Sequence, residues 1–513
     1  MHKEPKILLI NPPFEKLKGF NIESMSLGLL YIATVLHENG YVARVYDADT
    51  SFAKGNLRDD IPGRPRTQQN YVDNLDNPSH VAWKEIEDVV RHYSPDIVGI
   101  SVKTPVYHSA LKTISIVKQI MPHSTIIVGG PHVTITDDAM LQHADVDFAL
   151  IGEAEYSFLD FVKAFSTNGD MHTVAGLRYR KGNAVIRNKR PDRISSLDSL
   201  PFPNKELLIH SEQYRRKLGA IITSRGCPFE CAFCATVPLW GREAKYRSAE
   251  NILKEIDMLY KRYRITDMEI LDDIFILNKD NVIQFCKGLI ERFGRKKIRW
   301  VCLAHLNVLD KELLRYLKKA GCYKINVGIE SGSNHILKSI HKNINTQIIK
   351  RVSHQIKKSG IQLHGYFMLG IPYERAVDMQ QTIQLIKEIK PDSINLCTFT
   401  PYPGSELFDY VSNEGLLDSQ DVADGYAIYK TICTHSDQNY FLKEVNRETY
   451  LKYLHEALTL VGKINKRMTL RKFMMRYGNI TFSQVKNKIM KENKKIIEKI
   501  KHVLGHPRME FSG

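Results

Sequence analysis

Apolar residues recur along this chain with two periods. Short runs such as "KILLI" (6–10), "YVARVYD" (41–47), "DIVGIS" (96–101), "TIIVGG" (125–130) and "DFALIG" (148–152) read as strands. Between them, apolar positions fall three and four residues apart at 26–39, 81–93, 106–121 and 137–143, and again at 155–166, which predicts helices. Such alternation predicts a doubly wound, Rossmann-like parallel sheet. The stretch 49–80, rich in Asn, Asp, Arg and Pro, is too long for a simple connection and reads as an inserted loop.

The same rhythm resumes after residues 190–212, a proline-bearing stretch without a clean period that reads as a linker or strap. Strands are predicted at 219–223, 267–273, 298–303, 323–329, 363–370 and 392–399, with helices at 248–263, 279–293, 310–319, 334–340, 346–358 and 376–389. Six strands with intervening helices predict a partial (β/α)6 barrel, whose site would lie at the carboxyl ends of its strands. Beyond 416 the pattern is polar and helical. The expected organisation is therefore an α/β domain at 1–189, a linker at 190–215, a β/α core at 216–415 and a mostly helical segment at 416–513.

Composition narrows the class. The chain has 513 residues, 43% hydrophobic and 25% charged, an ordinary globular balance. No apolar run approaches the ~20 residues that cross a bilayer. The start, "MHKEPKILLINPPF", enters a strand without a signal-peptide pattern, so a cytoplasmic location is expected. The net charge of +16 is concentrated at the end, where 461–513 carries 14 basic residues against 3 acidic ones. A solvated basic helix is the plainer reading, and a surface for an anionic partner the other. No nucleic-acid-binding motif accompanies it, and a nucleic-acid partner is not expected.

The densest chemistry is "RGCPFECAFCA" (225–235), with Cys227, Cys231 and Cys234 just after the first strand of the second series. A structural zinc site takes four ligands, yet no His or Cys occurs between Cys234 and Cys286. A disulfide takes two thiols. Three thiolates suit a [4Fe–4S] cluster that leaves one iron open, ahead of zinc and of a chance grouping. The other cysteines, Cys286, Cys302, Cys322, Cys397 and Cys433, are scattered singly, which fits a reducing compartment.

The spacing Cys-x3-Cys-x2-Cys resembles the signature of the radical S-adenosylmethionine (SAM) superfamily. "EILDDIF" (269–275), "GIESGS" (328–333), "FMLGIP" (367–372) and "TPYPGS" (400–405) resemble its second-, fourth-, fifth- and sixth-strand segments. The resemblance covers about 219–405. It implies that the three cysteines hold a cluster whose open iron chelates SAM, and that one electron then releases a 5′-deoxyadenosyl radical. It also implies that Phe233, Asp273, Glu330, Ser331 and Gly332 surround SAM, with Glu330 reaching a ribose hydroxyl, and that a flavodoxin or ferredoxin supplies the electron.

The first half has neither a GxGxxG turn nor a Walker A lysine loop. "ILLINPPF", "SLGLLYIATVLHENGYVARVYDAD", "PDIVGISVKTP", "IIVGGPH" and "VDFALIGEAE" resemble the cobalamin-binding domain of the cobalamin-dependent radical SAM branch, over about 1–170. By that resemblance Asn11, Pro12, Ser101, Gly129, Gly130 and Glu153 contact cobalamin. The Asp-x-His-x-x-Gly motif that supplies a lower-axial histidine is absent, and His37 in "LHENG" lacks its Asp. The implied function is methyl transfer to an unactivated carbon of a small molecule. The alternatives are radical cyclisation of the anaerobic tetrapyrrole type and a non-catalytic sensor. Methyl transfer requires proximity, so the loops 11–14, 101–105 and 129–132 are expected to face Cys227–Cys234 and Glu330. Residues 190–212 are expected to be strapped along the outside, and residues beyond 416 to close part of the mouth.

Overall fold

A computed structural model describes residues 4–20, 25–50, 67–214, 218–294, 297–417 and 440–477. In the first sheet β1 (Ile7–Asn11), β2 (Ala43–Asp47), β3 (Ile97–Ser101), β4 (Thr125–Gly129) and β5 (Phe148–Leu150) run parallel in the order β2-β1-β3-β4-β5. The order reverses between β1 and β3, the switch point where doubly wound sheets open a crevice. Around it lie α1 (Leu27–Glu38), α2 (Thr67–Asp76), α3 (Val81–Tyr93), α4 (Tyr107–Ile120), α5 (Pro131–Thr136) and α6 (Ala154–Thr167).

One core face carries Leu8, Ile10, Val98, Ile100, Ile126 and Val128, covered by Trp83, Ile86, Ile114 and Val117. Each such fully buried aliphatic side chain contributes about 1.5–3 kcal/mol. Three features differ from the sequence expectation. The pattern at 137–143 is only a 3-10 turn, Ala139–Gln142, because α5 starts earlier on Pro131 and uses the first-turn preference of proline. A hairpin, β6 (Leu177–Lys181) and β7 (Ala184–Arg187), pairs antiparallel with β5 and extends the sheet. The end of the presumed inserted loop 49–80 forms α2, while 51–66 lies outside the described residues.

The second sheet is parallel throughout, in the order β8-β11-β12-β13-β14-β15. Its strands are β8 (Ala220–Ile221), β11 (Asp267–Ile270), β12 (Arg299–Ala304), β13 (Cys322–Glu330), β14 (Gln362–Leu369) and β15 (Ser393–Thr398). A short antiparallel pair, β9 (Ser224–Arg225) and β10 (Lys245–Tyr246), follows β8. The helices are α7 (Thr236–Trp240), α8 (Ala249–Tyr263), α9 (Lys279–Phe293), α10 (Lys311–Lys319), α11 (Asn334–Ser339), α12 (Thr346–Lys358), α13 (Ala376–Ile389), α14 (Glu406–Asn413) and α15 (Arg447–Tyr477). Their starts are set by side-chain caps: Ser248, Asn278, Asp310 and Asn345 accept from the free N–H groups of α8, α9, α10 and α12. In α8 the buried positions Ile252, Leu253, Ile256 and Leu259 form one apolar stripe against the sheet.

The described residues up to Val461 form one compact unit. Both sheets therefore belong to one unit. The segment expected as a strap along the outside is a packed seam between them. Leu197 and Leu200 are buried with Tyr31 of α1 and Ile222 beyond β8. Thr34 accepts from Asn204 N–H at 2.9 Å, and the Lys205 ammonium reaches Ala220 O at 3.2 Å. Its apolar residues give it a hydrophobic reason to lie inside. Residues 440–461 also pack into this unit, with Phe441 against Ala232, Ile371 and Phe399. Cys433 and 478–513, most of the basic tail, lie outside the described residues.

Candidate functional site

The carboxyl ends of β3, β4 and β5 face those of β8 and β11 across a cavity of about 300 Å³. From the first sheet come Gly28, Gly99, Ser101, Gly129, Gly130 and Glu153; from the second come Ile222, Arg225, Leu239, Trp240, Leu271 and Asp273. A Cβ on Gly28 would meet nothing within 4 Å, so the backbone there borders open space. Gly130 has φ 100°, a conformation that suits glycine and lets the chain turn from β4 into α5. The second wall sets apolar Ile222, Leu239, Trp240 and Leu271 beside the charged Arg225 and Asp273, and Leu271 is 46% exposed.

Arg225 joins the two walls. Its Nη1 donates to Glu153 Oε1 at 2.7 Å and its Nη2 to Glu155 Oε1. All three side chains are less than a tenth exposed. Burial opposes the guanidinium charge, but the two carboxylates outweigh it and raise its pKa. Glu153 Oε2 accepts from Ile194 N–H at 2.7 Å. Glu153 thus lies at the cavity wall with both oxygens engaged in the seam. Arg193 of the seam donates to Trp240 O at 3.1 Å and Arg225 O at 3.1 Å, holding the end of α7.

Cys227, Cys231 and Cys234 lie half-buried with free thiols on the loop between β9 and α7. Burial pushes the Cys231 thiol up to about 11, against the lowering effect of Lys342. The loop is tied down by Ala232, whose N–H donates to Ile340 O at 3.0 Å and whose carbonyl accepts from Leu407 N–H at 2.9 Å. Asp273, at the cavity, accepts from Gly226 N–H at 3.2 Å, and burial raises its pKa. Its neighbour Asp272 is fully engaged by Thr223 and Ser224 and serves the fold.

At the end of β13, Glu330 takes φ 65° where the β13–β14 register shifts. Its Oε1 accepts from Lys342 Nζ at 2.8 Å, and that ammonium lies 5.7 Å from the Phe233 ring centroid. Gly328 is small for this reason: a Cβ there would lie 2.8 Å from Lys342 Nζ and collide with the Glu330 carboxylate.

Several expected contacts are not brought to the site. Ser331 is fully buried and bonds Thr382 of α13 at 3.2 Å, while Gly332 donates its N–H to the same hydroxyl at 2.9 Å. A Cβ on Gly332 would strike the α13 backbone, so both residues serve the close packing of β13 against α13. Asn11 and Pro12 are buried and do not line the cavity; the Asn11 amide donates to Asp47 at 3.0 Å instead. Ser101, Gly129, Gly130 and Asp273 do line it. Sequence reasoning missed Gly28, Trp240 and Lys342. Gly28 stands in "SLGLLY", where a glycine inside an apolar helical pattern was a usable signal.

A doubly wound sheet facing a β/α core that carries a three-cysteine loop is the architecture of an enzyme class identified by family. The chain belongs to the cobalamin-dependent radical SAM methyltransferase family: residues 221–386 match the radical SAM superfamily and residues 22–162 the B12 binding domain. It is 30% identical over 422 residues to an uncharacterized methyltransferase of Pyrococcus horikoshii, covering 81% of this chain and 85% of that one. Over 467 residues it is 27% identical to the cytidylyl-2-hydroxyethylphosphonate methyltransferase of Streptomyces wedmorensis, covering 81% and 83%. Its fold is like that of the radical SAM methyltransferase TsrM from Kitasatospora setae, with a TM-score of 0.63 and 16% identity over 80% of this chain and 76% of that one. The cofactors are those of the family: a [4Fe–4S] cluster, SAM and cobalamin. Among the described residues no helix is long and apolar enough to cross a membrane.

Proposed function

We propose that the chain methylates an unactivated carbon of a small molecule, with the reaction housed where the two sheets face each other. The observation that carries this reading is the cavity itself. Its first wall combines glycines (Gly28, Gly129, Gly130) with aliphatic side chains such as Leu29, Ile32 and Val128, a surface suited to a broad planar ring, and its second includes Arg225, two residues ahead of Cys227. Three free thiols on one loop suit the cluster, and the backbone at Gly28 leaves room for a ligand to approach. Cluster and SAM together supply one-electron hydrogen abstraction, and the corrinoid supplies a methyl carrier.

The protein's own residues position and exclude. Cys227, Cys231 and Cys234 would hold the cluster, and Phe233 and Glu330 would contact SAM, Glu330 through a ribose hydroxyl. Asp273 fixes the start of the cysteine loop through Gly226. Ser101, Gly129 and Gly130 seat the ring, while Ile222, Leu239, Trp240 and Leu271 keep water from the reacting carbon. The electron comes from an external flavodoxin- or ferredoxin-type donor. The free described cysteines fit a reducing, cytoplasmic setting.

The test is anaerobic turnover of the reconstituted, cobalamin-loaded protein with SAM and candidate substrates. S-Adenosylhomocysteine and 5′-deoxyadenosine should both accompany each methylated product. 5′-Deoxyadenosine with product but no S-adenosylhomocysteine would place the chain with the cyclase type. Neither product with any substrate would favour the sensor.

A further inference from the structure

Lys342 is a buried cation that nothing in the sequence marks. It is only 7% exposed, and it sits in a turn whose two flanking residues, His341 and Asn343, both take φ 54°. Two departures into the left-handed region, on either side of one inward-facing lysine, amount to a cost that the surrounding structure must offset. The turn is held from outside by Asn307, whose side chain donates to Asn343 O at 2.6 Å. It is held from the cysteine side by Ala232 N–H on Ile340 O at 3.0 Å. The ammonium therefore enters the space behind the loop that carries Cys231 and Cys234, 5.7 Å from the Phe233 ring between them. Glu330 neutralises it at 2.8 Å.

We propose that Lys342 and Glu330 form an opposed charge pair that sets the reduction potential of the cluster held by the cysteine loop, Lys342 raising it and Glu330 lowering it. This inference rests on the reading of Cys227, Cys231 and Cys234 as the cluster ligands. The physical reason is that reduction adds one negative charge to the cluster. A fixed cation in a poorly screened interior stabilises the reduced form, and a fixed anion destabilises it. Lys342 acts here as a positioning and electrostatic residue through the cluster and transfers no group itself.

The experiment is an EPR-monitored redox titration of the reconstituted full chain without SAM, for wild type, Lys342→Met, Lys342→Arg and Glu330→Gln. Iron and sulfide content are measured in each. Lys342→Met should shift the cluster midpoint to more negative potential, Lys342→Arg should leave it near wild type, and Glu330→Gln should shift it to more positive potential. A merely structural role would not give opposite signs from the two partners. If Lys342→Met fails to assemble a cluster, Glu330→Gln alone decides by its sign. Equal midpoints in all variants with full cluster content, or shifts of the same sign, would overturn the proposal and leave the cysteine assignment standing. A wild-type chain that binds no cluster would overturn both.

Discussion

Arg225, two residues ahead of Cys227, donates to Glu153 Oε1 at 2.7 Å across the seam between the two sheets. With Glu155 as its second partner, it fixes the base of the cysteine loop against the helix start that follows β5. The same guanidinium lies 5.4 Å from the Tyr31 ring and 5.9 Å from that of Trp240. One side chain thus ties α1, the end of β5, the cysteine loop and the cavity-lining indole together.

Arg225→Met should destabilise the protein by about 3–5 kcal/mol, because it leaves two buried carboxylates without a counter-charge. Chemical denaturation measures this. Adding Glu153→Gln and Glu155→Gln should restore part of the loss, since the stranded charges are then gone. An Arg225→Met protein as stable as wild type would remove the fork from the account.

Replacing Cys227, Cys231 and Cys234 together with Ala should abolish cluster uptake. Anaerobic reconstitution of wild type is expected to yield roughly four irons per chain with charge-transfer absorption. Retention of that iron and sulfide by the triple variant would assign the cluster elsewhere.

Glu374, following β14, gives a pH dependence of definite sign. It is completely buried and accepts from Gly370 N–H at 2.7 Å, and burial pushes its pKa up from 4.5 to about 8. The folded state holds this proton more tightly than the unfolded chain does. Its stabilising contribution is therefore complete below about pH 4.5 and is lost as the pH rises through about 8. Glu374→Gln, which stays neutral, should gain stability over wild type at pH 9 and show little difference at pH 5. Thermal unfolding at the two values checks it; equal stabilities at pH 9 would contradict the buried, raised carboxyl.

Both sheets were legible in the pattern of apolar runs, because parallel strands buried on both faces read as continuous Val, Ile and Leu. The hairpin β6–β7 was not, since its arginines and lysines mask the alternation, although "KGN" at its turn was a signal. The cysteine loop could be read because its ligands are adjacent in sequence. Lys342, Arg225 and Trp240 could not be assigned roles, since their partners lie 12, 70 or 72, and 47 residues away and meet them only through the fold. The packing of Ser331 and Gly332 against α13 was not legible for a related reason. The motif around Glu330 mixes one residue turned toward the cysteine loop with two turned against α13, and their spacing alone does not separate them.

The central claim is that a corrinoid occupies the cavity between the sheets. Gly28 offers the most direct test, since a Cβ there would meet no protein atom within 4 Å and the residue lines the cavity. Gly→Phe in the first turn of α1 is also compatible with the helix. Hydroxocobalamin binding to wild type and to Gly28→Phe, both confirmed folded by thermal unfolding without ligand, is the measurement. Wild type should bind about one equivalent and Gly28→Phe should bind at least tenfold more weakly, a loss of about 1.4 kcal/mol or more. A folded Gly28→Phe protein that binds cobalamin as tightly as wild type would place the corrinoid elsewhere.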